Sequence, residues 1–241
     1  MVFGLAPLLV QAGYASALGF SGADPLIYRL GGAATFGYFV AAILAFAWRT
    51  GWAESRIAAI ATLTYTIGAF GASAVEFIGG NRAPIVAFVT LAGAVFTVIA
   101  LYWWRRDQAA PVDAGRPITG AARAILVLAT LSAGVFGLLP LIVPSLFASL
   151  FGLVGTDTWV FRLAGAGCLG YATAGMASLA ASGYRLMRTQ NFAAITFNVL
   201  GAISAWIALV TGDGGLLAPV VAAAATFFSV ALIWLDRQLS S

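Results

Sequence analysis

Long apolar blocks separated by short polar breaks run along this chain, and most approach the ~20 residues that a helix needs to cross a hydrocarbon core of roughly 30 Å. Backbone groups in lipid must satisfy one another, so the blocks are read as helices. They cover Ile27 to Trp48, Ile57 to Phe77 and Ile85 to Trp104, then Ala124 to Val143, Trp159 to Ala181, Phe192 to Thr211 and Leu217 to Trp234. Between the two sets lies the one long polar stretch, Arg105 to Arg123, broken by Pro111 and Pro117, which reads as a linker and not a domain. The expected class is all-α, a polytopic transmembrane helix bundle of seven or eight spans.

The pattern is written twice. DPLIYRLGGAATFGY at Asp24 to Tyr38 returns as DTWVFRLAGAGCLGY at Asp157 to Tyr171, with seven of fifteen positions identical at a constant offset of 133. Val2 to Leu8 matches Val135 to Leu141 at the same offset, which argues against reading the N-terminus as a removable signal peptide. The expected organisation is a first repeat over 1–106, a cytoplasmic linker over 107–120 and a second repeat over 121–241. Four spans per complete copy give both copies the same direction of entry, hence parallel repeats. The block beginning at Ala124 runs on to Leu153 past Pro140 and Pro144, which predicts a spanning helix to about Pro140 and then a short piece, Ser145 to Leu153, at the membrane surface. Carried back by 133, this places Met1 in mid-helix. Three readings are open: a shortened first helix giving eight spans, a re-entrant segment giving seven, or a start codon upstream of Met1.

Composition agrees with the pattern. At 62% hydrophobic, 8% charged and a mean hydropathy of +0.99, the chain is far from a soluble domain, where about 25% of residues are charged. All twelve basic residues are Arg, and nine of them fall at the linker, alternate loops and C-terminus, against Arg29, Arg82 and Arg162 on the other side. The nine mark the cytoplasmic face, so the expected location is the cell inner (cytoplasmic) membrane with the C-terminus cytoplasmic. Trp48, Trp52, Trp103, Trp104 and Trp234 gather at that edge as an aromatic belt. His is absent, which removes the commonest metal ligand and general base. The lone Cys168 lies in an apolar run and reads as packing.

The repeated stretch carries most of the candidate residues. Asp24 and Asp157 read as helix N-caps at the outer surface. Steps of four from the arginines give Ala33, Gly37 and Ala41 in one copy and Ala166, Gly170 and Ala174 in the other, a small-residue seam that lets helices approach closely and predicts a meeting near a two-fold axis. Arg29 and Arg162 sit at the outer interface, facing lipid phosphate or an acid at the same level, Glu76 in the first copy and Asp157 or Asp213 in the second. Tyr65 and Asn198 align at the offset and mark either an interhelical hydrogen bond or a polar spot on a solute path. No charged residue falls near a span centre, and no metal cluster, phosphate loop or nucleophile arrangement is present in the sequence.

The Arg-Leu-x-Gly-Ala helix start followed by the small-residue seam resembles the small four-helix bacterial membrane proteins of the DoxX-like type, here as a tandem duplication. The resemblance covers about one helix per copy and carries no functional residue across. The expected function is that of a non-catalytic integral membrane protein, an accessory or structural subunit of a larger membrane complex; the alternative is a facilitated transporter of a small neutral or hydrophobic solute. Expected partners are membrane lipid and other membrane subunits, not nucleic acid. No cofactor is evident, while bound lipid or a carotenoid-like pigment is compatible with the apolar faces.

Overall fold

The computed structural model describes residues 2–106 and 113–240. Met1, residues 107–112 of the linker and Ser241 lie outside the described residues, as do the side chains of Val2, Trp103, Trp104 and Arg106. Among the described residues there are ten α-helices and no strand. The first half of the chain forms α1 (Val2–Leu9), α2 (Gln11–Ala17), α3 (Pro25–Ala47), α4 (Trp52–Ile78) and α5 (Pro84–Arg106). The second forms α6 (Gly120–Ile142), α7 (Pro144–Phe151), α8 (Thr158–Leu179), a 3-10 turn at Tyr184–Leu186, α9 (Arg188–Thr211) and α10 (Leu217–Ser240).

Six of these helices, α3, α4, α5, α6, α9 and α10, are long and apolar enough to cross a membrane, which makes the chain a multi-pass membrane protein. Their outward residues are the large apolar ones: Phe46 and Val210 are each 87% exposed and Ile78 82%, the inverse of a water-soluble surface. The interior is built from small residues. More than half of α8 is buried, mostly Gly, Ala and Tyr beside a few larger side chains, because four neighbouring helices press on it.

Residues 133 apart occupy matching places. α1 ends at Leu9 and α6 at Ile142, and the breaks that follow share one backbone shape, φ −134°, ψ 45° at Val10 and φ −128°, ψ 61° at Val143. At Val143 the cause is Pro144, whose ring disfavours helical geometry in the residue before it. Gly32 of α3 faces the Gly4 carbonyl of α1, and a Cβ there would sit 2.6 Å from that oxygen; Gly165 of α8 faces the Gly137 carbonyl of α6, where the distance is 2.7 Å. Short apolar α7 is packed onto the bundle. Phe147 is 2% exposed and its ring packs against Phe151 and Phe161, so one face of α7 closes the end of the bundle while Leu146 and Leu150 point outward.

The two halves are interlocked. Helix α4 packs on α8 and α3 packs on α9, whereas α3 and α4, neighbours in sequence, touch little. Gly68 of α4 meets Ala166 of α8 directly, with a Cβ at Gly68 falling 2.7 Å from the Ala166 Cβ. The described part of the linker is also docked: Tyr184 and Arg185 donate backbone hydrogen bonds to the carbonyls of Arg116 and Ala114, and Ile118 is buried.

Candidate functional site

At the end of the bundle away from the arginine-rich loops, the two aspartates of the repeated stretch do something other than cap their own helices. Neither side chain makes a cap hydrogen bond to α3 or α8. Asp24 instead accepts from the backbone N–H groups of Val154 and Gly155 at 2.8 Å each, and Asp157 accepts from those of Ser21 and Gly22 at 3.0 and 2.9 Å. The loops that supply these donors are themselves 133 residues apart. Positive φ at Gly22 (67°) and Gly155 (72°) turns two successive N–H groups toward one carboxylate, the anion-binding geometry of a backbone nest. Asp157 accepts in addition from the Ser21 and Tyr28 hydroxyls, both at 2.8 Å. Burial alone would raise its pKa; the hydrogen bonds from Ser21, Tyr28 and Gly22 outweigh it and hold the carboxyl below its ordinary value.

Glu76 pairs across the halves. Arg162 donates to its carboxylate and Thr158 Oγ1 adds a second bond at 3.0 Å, while neighbouring Trp159 Nε1 donates to Ser73 at 2.8 Å. The sequence places Glu76 level with Arg29 and offers Asp157 or Asp213 to Arg162. Asp157 is taken by the nest and Asp213 accepts from Thr211, which leaves Glu76 as the acid on the α4 face against α8. Arg29 Nη1 is buried without a hydrogen-bond partner; 133 residues beyond Glu76 stands Leu209, so its counterpart acid is missing.

At mid-bundle the small-residue seams of α3 and α8 face each other around two tyrosines. Tyr38 donates to the Gly167 carbonyl at 2.6 Å and Tyr171 to the Ala34 carbonyl at 3.1 Å, with the two rings stacked 4.7 Å apart. Gly37 and Gly170 leave room for the hydroxyls: a Cβ at Gly37 would overlap Tyr171 Oη, and one at Gly170 would overlap Tyr38 Oη. Ala33, Ala41, Ala166 and Ala174 are all buried along these seams. Tyr65 stacks on Tyr38 at 5.2 Å and shares a hydrogen bond of 3.0 Å with Thr35, and Phe197 stacks on Tyr171 at 4.8 Å.

Beyond Tyr171 lies a partly open cavity of about 150 Å3, lined by α6, α8, α9 and α10 with Ile27 and Leu30 of α3 on one side. Its walls are mostly apolar, with Thr130, Ser132 and Asn198 along them and two buried carboxamides at one end. There Gln190 is 4% exposed with neither Oε1 nor Nε2 bonded, and Asn191 is 2% exposed with Oδ1 unbonded. The Asn191 Nδ2 is committed to the Tyr184 hydroxyl at 2.9 Å and the Leu232 carbonyl at 3.3 Å. Tyr184 in turn donates to Asp236 at 2.6 Å, and Arg188 reaches the same carboxylate at 3.3 Å, so this network ties the carboxamide end to the arginine-rich end of the bundle. Proximity to Asp236 and burial push the Tyr184 phenol far above its ordinary pKa, burial contributing most.

Of the two aligned polar residues, Asn198 lines this cavity and donates to the Ala194 carbonyl at 2.8 Å; Tyr65 does not line it and belongs to the aromatic stack. Gln190 and Asn191 escape the sequence reading because the apolar block starts at Phe192. The helix starts a turn earlier, at Arg188, which carries both carboxamides into the bundle. Among the described residues no group of three or more His, Cys, Asp and Glu is placed to hold a metal ion. No protein-family model, curated protein or solved structure matches the chain.

Proposed function

We propose that the protein is a non-catalytic accessory or structural subunit of a larger membrane complex. The observation that carries this reading is that the two halves are bonded to each other at three depths: the Asp24 and Asp157 nests at one end, Tyr38 and Tyr171 at the middle, and Glu54 with Arg185 at the arginine-rich end. A carrier that alternates access rocks one half against the other around its site. Bonds at these three depths, reciprocal at the nests and at the tyrosines, oppose such rocking and suit a fixed scaffold whose apolar flanks meet lipid and neighbouring subunits. The matching bonds at a 133-residue offset further support two parallel copies of one four-helix unit, the kind of unit that the DoxX-like resemblance implies. On this reading α8 is the seventh span, and α1 and α2, at eight and seven residues, form a re-entrant pair. The arginine-rich end faces the cytoplasm.

The cavity favours one alternative, a facilitated path for a small neutral or hydrophobic solute, with Asn198 on its wall. Purification in mild detergent from the native membrane separates the two. Co-migration with other membrane proteins at fixed stoichiometry is the expected result. A stable, partner-free protein that accelerates flux of a small neutral solute into liposomes would overturn the subunit reading in favour of the alternative.

A further inference from the structure

We propose that the cavity between α6, α8, α9 and α10 is a binding site for one single-chain, hydroxyl-headed neutral lipid, its hydroxyl held by Gln190 and Asn191 and its chain lying along α8. This is independent of whether the protein assembles with others.

The shape selects a chain. On α10 the lining runs from Leu217 to Leu232, and on α8 from Ala164 to Ser178. At a rise of 1.5 Å per residue these stretches are about 20 Å long, so a volume of about 150 Å3 is spread along a narrow slot and not gathered in a round pocket. A space of that length suits one extended chain.

The polar end selects the head. An unbonded buried polar group is costly, and two lining residues carry three such atoms: the Gln190 Oε1 and Nε2 and the Asn191 Oδ1. A hydroxyl both donates and accepts, so a single one serves an oxygen and the Gln190 Nε2 together. Ether and ester heads only accept, leaving the two oxygens unserved. An anionic head fails on charge. Among the described residues no acid or arginine lines the slot, and Arg188, two residues before Gln190, is paired with Asp236.

The route in from lipid that the packing leaves is the seam between α6 and α10, which touch along little of their length. Half-buried Ala129 and Ser132 on one helix and Val221 and Ala224 on the other border it, all small enough to leave the slot open sideways.

The test uses the full chain in phosphatidylcholine nanodiscs with a diazirine-bearing hexadecanol as the probe. Cross-links are mapped by peptide mass spectrometry, with unlabelled hexadecanol, 1-methoxyhexadecane and palmitate at alkaline pH as competitors. Cross-links confined to slot-lining residues of α6, α8 and α10 are expected, with hexadecanol competing about tenfold better than the other two compounds, a difference of about 1.4 kcal/mol. Gln190→Leu should reduce that preference without lowering thermal stability, since no hydrogen bond is lost. Ala224→Phe should block cross-linking altogether. Labels spread over lipid-facing positions such as Phe46 and Val210, or equal competition by all three compounds, would overturn the proposal, leaving water or bulk lipid chains as the occupant. If Gln190→Leu does not fold, the wild-type competition series decides alone.

Discussion

Tyr38 and Tyr171 exchange hydrogen bonds with each other's helices: each hydroxyl reaches the backbone carbonyl that lies four residues before the other tyrosine, and the rings stack at 4.7 Å between them. The pair thus ties α3 to α8 by polar and aromatic contact at one point. Removing either hydroxyl should cost about 1 kcal/mol, with Tyr38→Phe the more damaging because its bond is 2.6 Å against 3.1 Å. Unfolding midpoints in detergent check the order.

Gly37 and Gly170 are the positions where added bulk is least tolerable. A Cβ at Gly37 would lie 2.7 Å from the Ala193 carbonyl besides meeting Tyr171, and one at Gly170 would lie 2.6 Å from the Ala61 carbonyl besides meeting Tyr38. Both obstacles include backbone, which cannot swing aside. Gly37→Ala and Gly170→Ala are each expected to destabilise by about 1–3 kcal/mol, and Leu at either position to prevent assembly of the bundle. Gly71, with nothing near its Cβ, is the control and should accept Ala without loss. Equal behaviour of Gly37→Ala and Gly71→Ala in a thermal assay would refute the seam.

Acid should loosen the Asp157 nest. Its folded pKa lies below the unfolded value near 3.9. The contribution is therefore fully present above the unfolded value and is lost as pH falls through the folded one. Wild type should lose stability as pH drops below about 4, and Asp157→Asn should be less stable at neutral pH with a flatter acid limb. The measurement is the unfolding midpoint as a function of pH for both proteins.

Arg162 and Arg29, matched in sequence, should respond oppositely to removal. Arg162 and Glu76 side chains are 22% and 15% exposed, so breaking their pair should cost about 1–3 kcal/mol, between the exposed and fully buried limits. Arg29→Met removes a guanidinium whose Nη1 is buried without a partner and should cost less than about 1 kcal/mol or stabilise. A double-mutant cycle on Arg162 and Glu76, run beside Arg29→Met, reads both numbers.

Ser21 and Thr156, whose hydroxyl oxygens are 2.7 Å apart on an exposed rim, offer a covalent check of the interlock. Ser21→Cys with Thr156→Cys in a Cys168→Ser background should oxidise to a disulfide without loss of the folded state. Two halves free to separate at this end would give little cross-link.

The apolar spanning helices are legible in the sequence because they rest on composition and periodicity, which a single chain displays. Partners are not. Asp24 before Pro25 has the local grammar of a cap, and only three-dimensional proximity reveals that its carboxylate prefers the N–H groups of Val154 and Gly155, 130 residues away. The same limit misassigned Glu76: with α3 and α4 in one copy, a pairing within that copy is the natural guess, and the cross-packing of α4 on α8 is invisible to a residue-by-residue reading. Gln190 and Asn191 were passed over for a different reason. Polar residues at the head of an apolar block look like loop, and their depth depends on where the helix starts, the least certain feature of any sequence reading.

The crossing of α4 onto α8 also fixes an order of events at synthesis. Gly68, whose Cβ position lies against Ala166, leaves the ribosome about a hundred residues before α8 is complete, which at ordinary elongation rates is on the order of ten seconds. Through that interval α3, α4 and α5 have been made while the helices they pack against have not. The first half must wait, its glycine faces turned to lipid or held by an insertion factor, until the second half arrives to complete it.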